Sequence, residues 1–228
     1  MIQFVLMDIE GTTTSVSFVF DVLFPYFRDN IQSIASRAEE PEIAAILKQV
    51  QDLALTETGI SLDQTGAIAT LHQWSVEDRK VPPLKAMQGF LWEEGYKNVD
   101  FRGHVYPDVL PKLKEWQKEG IQLGIYSSGS VKAQKLLFGY SDYGDLTGYF
   151  DYFFDLKVGQ KRDVQSYQAI AQAVQLPPEA ILFLSDVPAE LDAAIQAGYQ
   201  AWQLVRPGTT ASPTHQQVTD FGAITSLH

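Results

Sequence analysis

Five short stretches of this chain are apolar on both alternating faces: IQFVLMD (residues 2–8), IQLGIYSS (121–128), FDYFFD (150–155), ILFLSD (181–186) and QAWQLV (200–205). Runs of that kind suit parallel strands covered by helices above and below, because neither face meets water. Apolar positions recur at helical spacing over 107–119, 131–138, 164–175 and 189–197, and Gly198 supplies a residue suited to end the last of these. Strands alternating with helices predict a doubly wound, Rossmann-like α/β core with a parallel sheet.

The alternation breaks over residues 16–103. Here the pattern predicts helices near 19–38, 41–56, 62–78 and 83–95, and no stretch reads as a core parallel strand. An interval of that length after the first strand is expected to be a separate helical cap, with residues 1–15 and 104–228 forming the catalytic core. The tail beyond Pro207 reads as a surface loop followed by one last short element.

Composition narrows the partners more than the fold. Seventeen basic and 28 acidic residues give a net charge of −11, which leaves no basic footprint for nucleic acid and would be repelled by an anionic membrane. An anionic substrate must therefore meet a few placed cations and a metal ion. The chain has no cysteine, so thiolate metal sites, disulfides and cysteine nucleophiles are excluded. The first residues lack the basic and apolar regions of a signal peptide, and no apolar run reaches the ~18 residues of a membrane span. A cytoplasmic monomer is the expectation.

The chemistry gathers at strand ends. Asp8 and Glu10 follow the first strand, Ser127 and Ser128 the second, and Asp186 the fourth; Lys161 precedes a helix. In open α/β sheets ligands bind beyond the carboxyl ends of strands, so these residues can share a pocket despite their separation in sequence. Asp8, Glu10 and Asp186 in one cleft would repel unless a cation sat among them. Mg²⁺ is the hard cation that takes few carboxylates and also a phosphate oxygen. Lys161, the Ser127 hydroxyl and backbone N–H groups near Ser128 and Gly129 would hold the remaining phosphate oxygens. An aspartate could then attack phosphorus, with a second acid first protonating the leaving oxygen and then activating water.

Asp8-Ile9-Glu10-Gly11-Thr12 resembles the first motif of the haloacid dehalogenase-like superfamily, whose usual form is Asp-x-Asp-Gly-Thr. Ser127, Lys161 six residues before Tyr167, and ILFLSDVPAE with Asp186 and Glu190 resemble its second, third and fourth motifs. Glutamate at position 10, the following GTTTS, and the segment YSSGSVKAQKLLFGYSDYGDLTGYFDYFFD are similar to the enolase-phosphatase family of methionine salvage. That resemblance implies a Mg²⁺-dependent reaction on 2,3-diketo-5-methylthiopentyl-1-phosphate, enolised and then dephosphorylated to the acireductone 1,2-dihydroxy-3-keto-5-methylthiopentene. It implies Asp8 as nucleophile and metal ligand, Glu10 at the acid/base position and in the metal site through its backbone carbonyl, and Asp186 as the remaining metal ligand. Ser127 and Ser128 would bind substrate, Lys161 the phosphate, and Glu190 would hold Lys161 or a metal-bound water. Phe18, Phe20 and Trp74 are candidates for an apolar pocket, and Arg28, Lys80 and Arg102 for closing over the phosphate.

Each residue also has a plainer reading. An isolated Asp-x-Glu is usually a solvated turn, Ser127 could be a helix N-cap, Lys157 competes with Lys161, and His72 and His104 suit structural roles better than that of a base. Two other functions compete: a simple phosphomonoesterase of another small metabolite, and a non-catalytic protein that binds a phosphorylated metabolite.

Overall fold

The computed structural model describes residues 1–225 and Leu227. The chain divides into two compact units, Met1–Phe18 with the chain from Arg102 onward, and Val19–Phe101.

In the first unit the sheet is built around β1 (Phe4–Met7), whose four residues are all buried. Beside it lie β2 (Gln122–Tyr126) and β4 (Ile181–Ser185), and further out β3 (Tyr152–Phe154), β5 (Gln200–Leu204) and β6 (Gln216–Val218). The order is β3-β2-β1-β4-β5-β6, with every neighbouring pair parallel. Phe4, Leu6, Tyr126, Tyr167, Ile170, Phe183 and Leu191 belong to one buried cluster that seals helices to one face of the sheet. At about 25 cal/mol per Å² of apolar surface removed from water, such burial is the main stabilising term of the unit.

The register places the site. Met7 lies opposite Ile125 on one side and Leu184 on the other. The residues just past these strands, Asp8, Ser127 and Asp186, therefore emerge at one level of one edge. The strand order reverses beside β1, which is where ligands bind in sheets of this kind. The sequence pattern does not predict β6 as a strand: two of its three residues are exposed glutamines, and its place is fixed by pairing with β5.

The second unit is helical among its described residues, with α3 (Pro41–Thr58), α4 (Gln64–Val76) and α5 (Pro82–Asn98). Its own core contains Phe27, Ile34, Leu47, Leu71, Trp74 and Met87. Trp74, a candidate for the apolar pocket, is thus part of that core, and the Arg79 guanidinium lies 4.7 Å over its ring. The helix expected over 19–38 is broken into a π-helical turn (Val19–Leu23), α2 (Phe24–Asn30) and a 3₁₀ stretch (Ile31–Arg37). Pro25 has no N–H with which to continue an α-helical ladder, so the chain restarts there. Among the described residues no helix is long and apolar enough to cross a membrane.

Candidate active site

The turn after β1 holds itself together. Ile9 O accepts the N–H groups of Thr12, Thr13 and Thr14 at 3.1, 3.0 and 2.9 Å, and Gly11 N–H reaches Thr14 O at 2.8 Å. The Thr13 hydroxyl closes onto Asp8 O at 3.1 Å. Gly11 adopts a left-handed φ of 75°, and a Cβ there would lie 2.5 Å from the Asp186 Cγ. Glycine is therefore needed both for the turn and for the approach of the Asp186 carboxylate.

From outside the turn, the buried Arg206 guanidinium donates to Thr12 O at 3.0 and 3.2 Å and to both Asp108 oxygens at 2.8 and 3.0 Å. It also stacks 4.0 Å over the Tyr106 ring. Sequence reasoning missed Arg206; its only signal is an arginine directly after an apolar strand. His104 accepts the Ser15 N–H on Nδ1 at 3.0 Å, which leaves its proton on Nε2, and burial holds its pKa below the ordinary histidine value. It clips the turn in place as a neutral ring.

Asp8 is buried at the end of β1, its N–H bonded to Leu184 O at 2.9 Å. Its carboxylate pairs with the Lys161 ammonium, which also meets Glu190 Oε2 at 2.7 Å. Glu190 accepts in addition from the Ser185 hydroxyl at 2.9 Å. The competing Lys157 is exposed. The six-residue spacing from Lys161 to Tyr167 has a physical basis: the Tyr167 hydroxyl donates to Lys161 O at 2.7 Å and fixes the backbone that carries the lysine.

Ser127 is buried past β2, its N–H on Phe154 O at 3.2 Å. Its hydroxyl makes a long 3.5 Å contact with Glu10 Oε2 and accepts the Gly129 N–H at 3.1 Å. That N–H, expected to face an anion, is thus turned inward. The helix N-cap is Ser130, whose hydroxyl accepts from Ala133 N–H at 3.2 Å, so Ser127 is not used as the cap of α7 (Val131–Gly139). Ser128 is exposed at the tip of the same loop.

Negative charge exceeds positive here. Burial, with Asp8 and Glu10 adding to it, pushes the Asp186 carboxyl up to about 7. Burial and the Asp8 charge likewise push Glu190 up to about 7, against the pull of Lys161. Burial works against the Lys161 ammonium, but Asp8 and Glu190 outweigh it and raise its pKa above the ordinary lysine value. One ammonium balances one carboxylate, so the second acid keeps its proton to near-neutral pH. Asp186 Oδ1 is buried with no hydrogen-bond partner among the described residues. An orphaned carboxylate oxygen with a raised pKa, beside a second carboxylate, suits a hard divalent cation. Among the described residues no three histidine, cysteine or carboxylate side chains converge as a metal-holding group. Protein ligation would thus rest on fewer carboxylates, with backbone oxygen and water completing the shell, as Mg²⁺ commonly accepts. Asp186 and Gly11 also border a cleft of about 820 Å³, walled opposite by the loop from Arg206 to Pro213.

A buried carboxylate against a buried lysine, a second acid with an unpartnered oxygen and a serine loop, all at one edge of a parallel sheet, is an arrangement suited to a phosphoryl-transfer hydrolase. Residues 2–198 match the family model of the haloacid dehalogenase-like hydrolases, and the chain belongs to that family. It is similar to enolase-phosphatase E1 of Picosynechococcus sp., at 99% identity over the whole of both chains. It is also similar to enolase-phosphatase E1 of Methylococcus capsulatus, at 48% identity over 98% of each chain. Among solved structures, the UTR4 protein of Saccharomyces cerevisiae shares 34% identity with a TM-score of 0.81, covering 98% of this chain and 100% of that one. CbbY from Rhodobacter sphaeroides in complex with phosphate shares the fold, with 16% identity and a TM-score of 0.63 over 100% of this chain and 98% of that one. The chain is an enzyme, a phosphoric monoester hydrolase.

Proposed function

We propose that this chain is a Mg²⁺-dependent enolase-phosphatase of methionine salvage. It converts 2,3-diketo-5-methylthiopentyl-1-phosphate to the acireductone 1,2-dihydroxy-3-keto-5-methylthiopentene and phosphate. The observation that carries the reading is the buried Asp8–Lys161–Glu190 cluster set beside Asp186, whose Oδ1 is buried without a hydrogen-bond partner among the described residues. The names of the relatives similar over the whole chain support the particular reaction.

Asp8, Asp186 and the Glu10 backbone carbonyl would hold Mg²⁺, which when bound offsets charge on the phosphoryl group. Lys161 and Ser127 bind phosphate oxygens, and Ser128 binds substrate at the loop tip. Glu10 removes a proton from C1 of the substrate and keeps it, and the C2 oxygen takes up a proton from solvent, giving the enol phosphate. Asp8 then attacks phosphorus and the C1–O bond stays with the product, whose oxygen receives a proton from Glu10. Glu10, now ionised, takes a proton from water, which attacks the aspartyl-phosphate and frees phosphate and Asp8, and Glu10 then releases that proton to solvent. Glu190 holds Lys161 in line with Asp8. The helical unit serves as a cap, and the enzyme works as a cytoplasmic monomer without nucleic acid or membrane.

Following enediol absorbance and phosphate release together tests this. The wild type should show both with Mg²⁺, and Asp8→Asn should show absorbance without release. Phosphate release with no absorbance change would make the protein a simple phosphomonoesterase. Glu10→Gln should lose both signals; an intact absorbance change would remove Glu10 as the enolisation base.

A further inference from the structure

Two buried glutamines stand at the carboxyl end of the sheet, one on each side of β1. Gln134, on α7, is 1% exposed, and its Nε2 donates to Gly129 O and to Phe154 O, both at 2.8 Å. Gln203, on β5, has no exposure, and its Nε2 donates to Asp186 O at 2.9 Å and Thr210 O at 3.0 Å. Its Oε1 accepts the Ser212 N–H at 2.7 Å.

The two side chains do the same thing with different loops. Each spends both N–H groups on two backbone carbonyls from separate segments. In each pair one carbonyl belongs to a loop bearing site residues: Gly129 closes the Ser127–Ser128 turn, and Asp186 is itself a candidate ligand. The other carbonyl ties that loop to its neighbour, the end of β3 for Gln134 and the wall of the cleft for Gln203.

Gln134 shows that this is not simple core filling. Its Oε1 is buried with no hydrogen-bond partner among the described residues. A methionine of similar volume would avoid that desolvated oxygen. What offsets it is the double donation by Nε2. The two glutamines share no partner, so their effects are separable.

We propose that Gln134 and Gln203 are independent positioning residues: Gln134 sets phosphate binding through the 127–129 loop, and Gln203 sets Mg²⁺ binding through the Asp186 backbone and the 210–212 segment. The inference rests on the phosphate and Mg²⁺ assignments proposed above.

Calorimetric titration of the full chain with Mg²⁺ alone, and with inorganic phosphate at saturating Mg²⁺, tests it. Gln203→Met should weaken Mg²⁺ binding about tenfold and leave the phosphate constant within about twofold, and Gln134→Met should do the reverse. Gln134→Leu and Gln203→Leu, which are uncharged and slightly smaller, serve where a methionine variant does not fold by circular dichroism. A wild type that binds neither probe would defeat the functional reading itself. A wild type that binds both, with variants that shift the two constants together or not at all, would overturn only the positioning roles. A residue whose variants both fail to fold is part of the core, and its positioning role is likewise overturned.

Discussion

Gly11→Ala is a one-methyl test of the whole site. The left-handed φ of 75° at Gly11 costs an alanine about 1–2 kcal/mol. The added Cβ would lie 2.5 Å from Asp186 Cγ and 3.1 Å from Oδ1, where ordinary contact begins near 3.4 Å. Either the Asp186 carboxylate retreats by about 1 Å, or the turn opens and loses its 2.8 Å Gly11–Thr14 hydrogen bond. Together these predict a loss of about 2–4 kcal/mol in urea unfolding without Mg²⁺. A misplacement of that size at a reacting centre predicts a fall of about 100-fold in kcat/KM for phosphate release. Because the displaced group is a proposed ligand, Mg²⁺ affinity should fall by about tenfold or more. The reasoning fails if the variant is destabilised by the expected amount yet keeps Mg²⁺ affinity and kcat/KM within about threefold of wild type. Asp186 would then have no part in holding the metal.

Lys161→Met strips the one ammonium from buried Asp8 and Glu190 and should cost about 3–5 kcal/mol in urea unfolding at pH 7, with phosphate release lost; a cost under about 1 kcal/mol would show that the pair is not isolated from water. Asp186 and Glu190, both pushed up to about 7 in the fold, keep protons that the unfolded chain releases near pH 4, so their contribution to stability is full at low pH and is lost as pH rises toward 7. Mg²⁺ favours the ionised acid, so its gain in melting temperature should be larger at pH 8 than at pH 5.5, and an equal gain at both would remove Asp186 from the site. Arg206→Met leaves Asp108 and Thr12 O without their buried donor and should destabilise by about 3–5 kcal/mol by denaturant titration; a loss under about 1 kcal/mol would show that the turn does not depend on this clamp.

The strands of the core were legible because burial on both faces leaves a plain mark: Phe4–Met7 and Ile181–Ser185 are apolar almost throughout. Lys161 was legible through Tyr167, whose hydroxyl is bonded to the lysine backbone. Asp8, Ser127 and Asp186 were legible as strand-end residues, and the register that aligns those ends follows from which strands pair. What the sequence does not announce is polar and fixed by tertiary partners. Gln134, Gln203 and Arg206 look like surface residues in the sequence, yet each is buried by groups from distant segments. β6 carries no apolar alternation because it borders the sheet, and apolar spacing over 19–38 runs on past Pro25, where the structure restarts its helix. The inward turn of Gly129 N–H onto Ser127 is a local competition that residue types alone do not decide.

β1 comes earliest among the six strands of the sheet in chain order, yet it lies in the middle of the sheet, flanked by partners that begin at Gln122 and Ile181. Its apolar residues must wait for most of the polypeptide before both edges are covered. A fragment ending before β4 leaves one edge of β1 unpaired and lacks Asp186, so it should show no turnover. By the same logic, two halves cut between Phe154 and Ile181 should be inert apart and regain turnover on mixing only as fast as the late half docks against the early one.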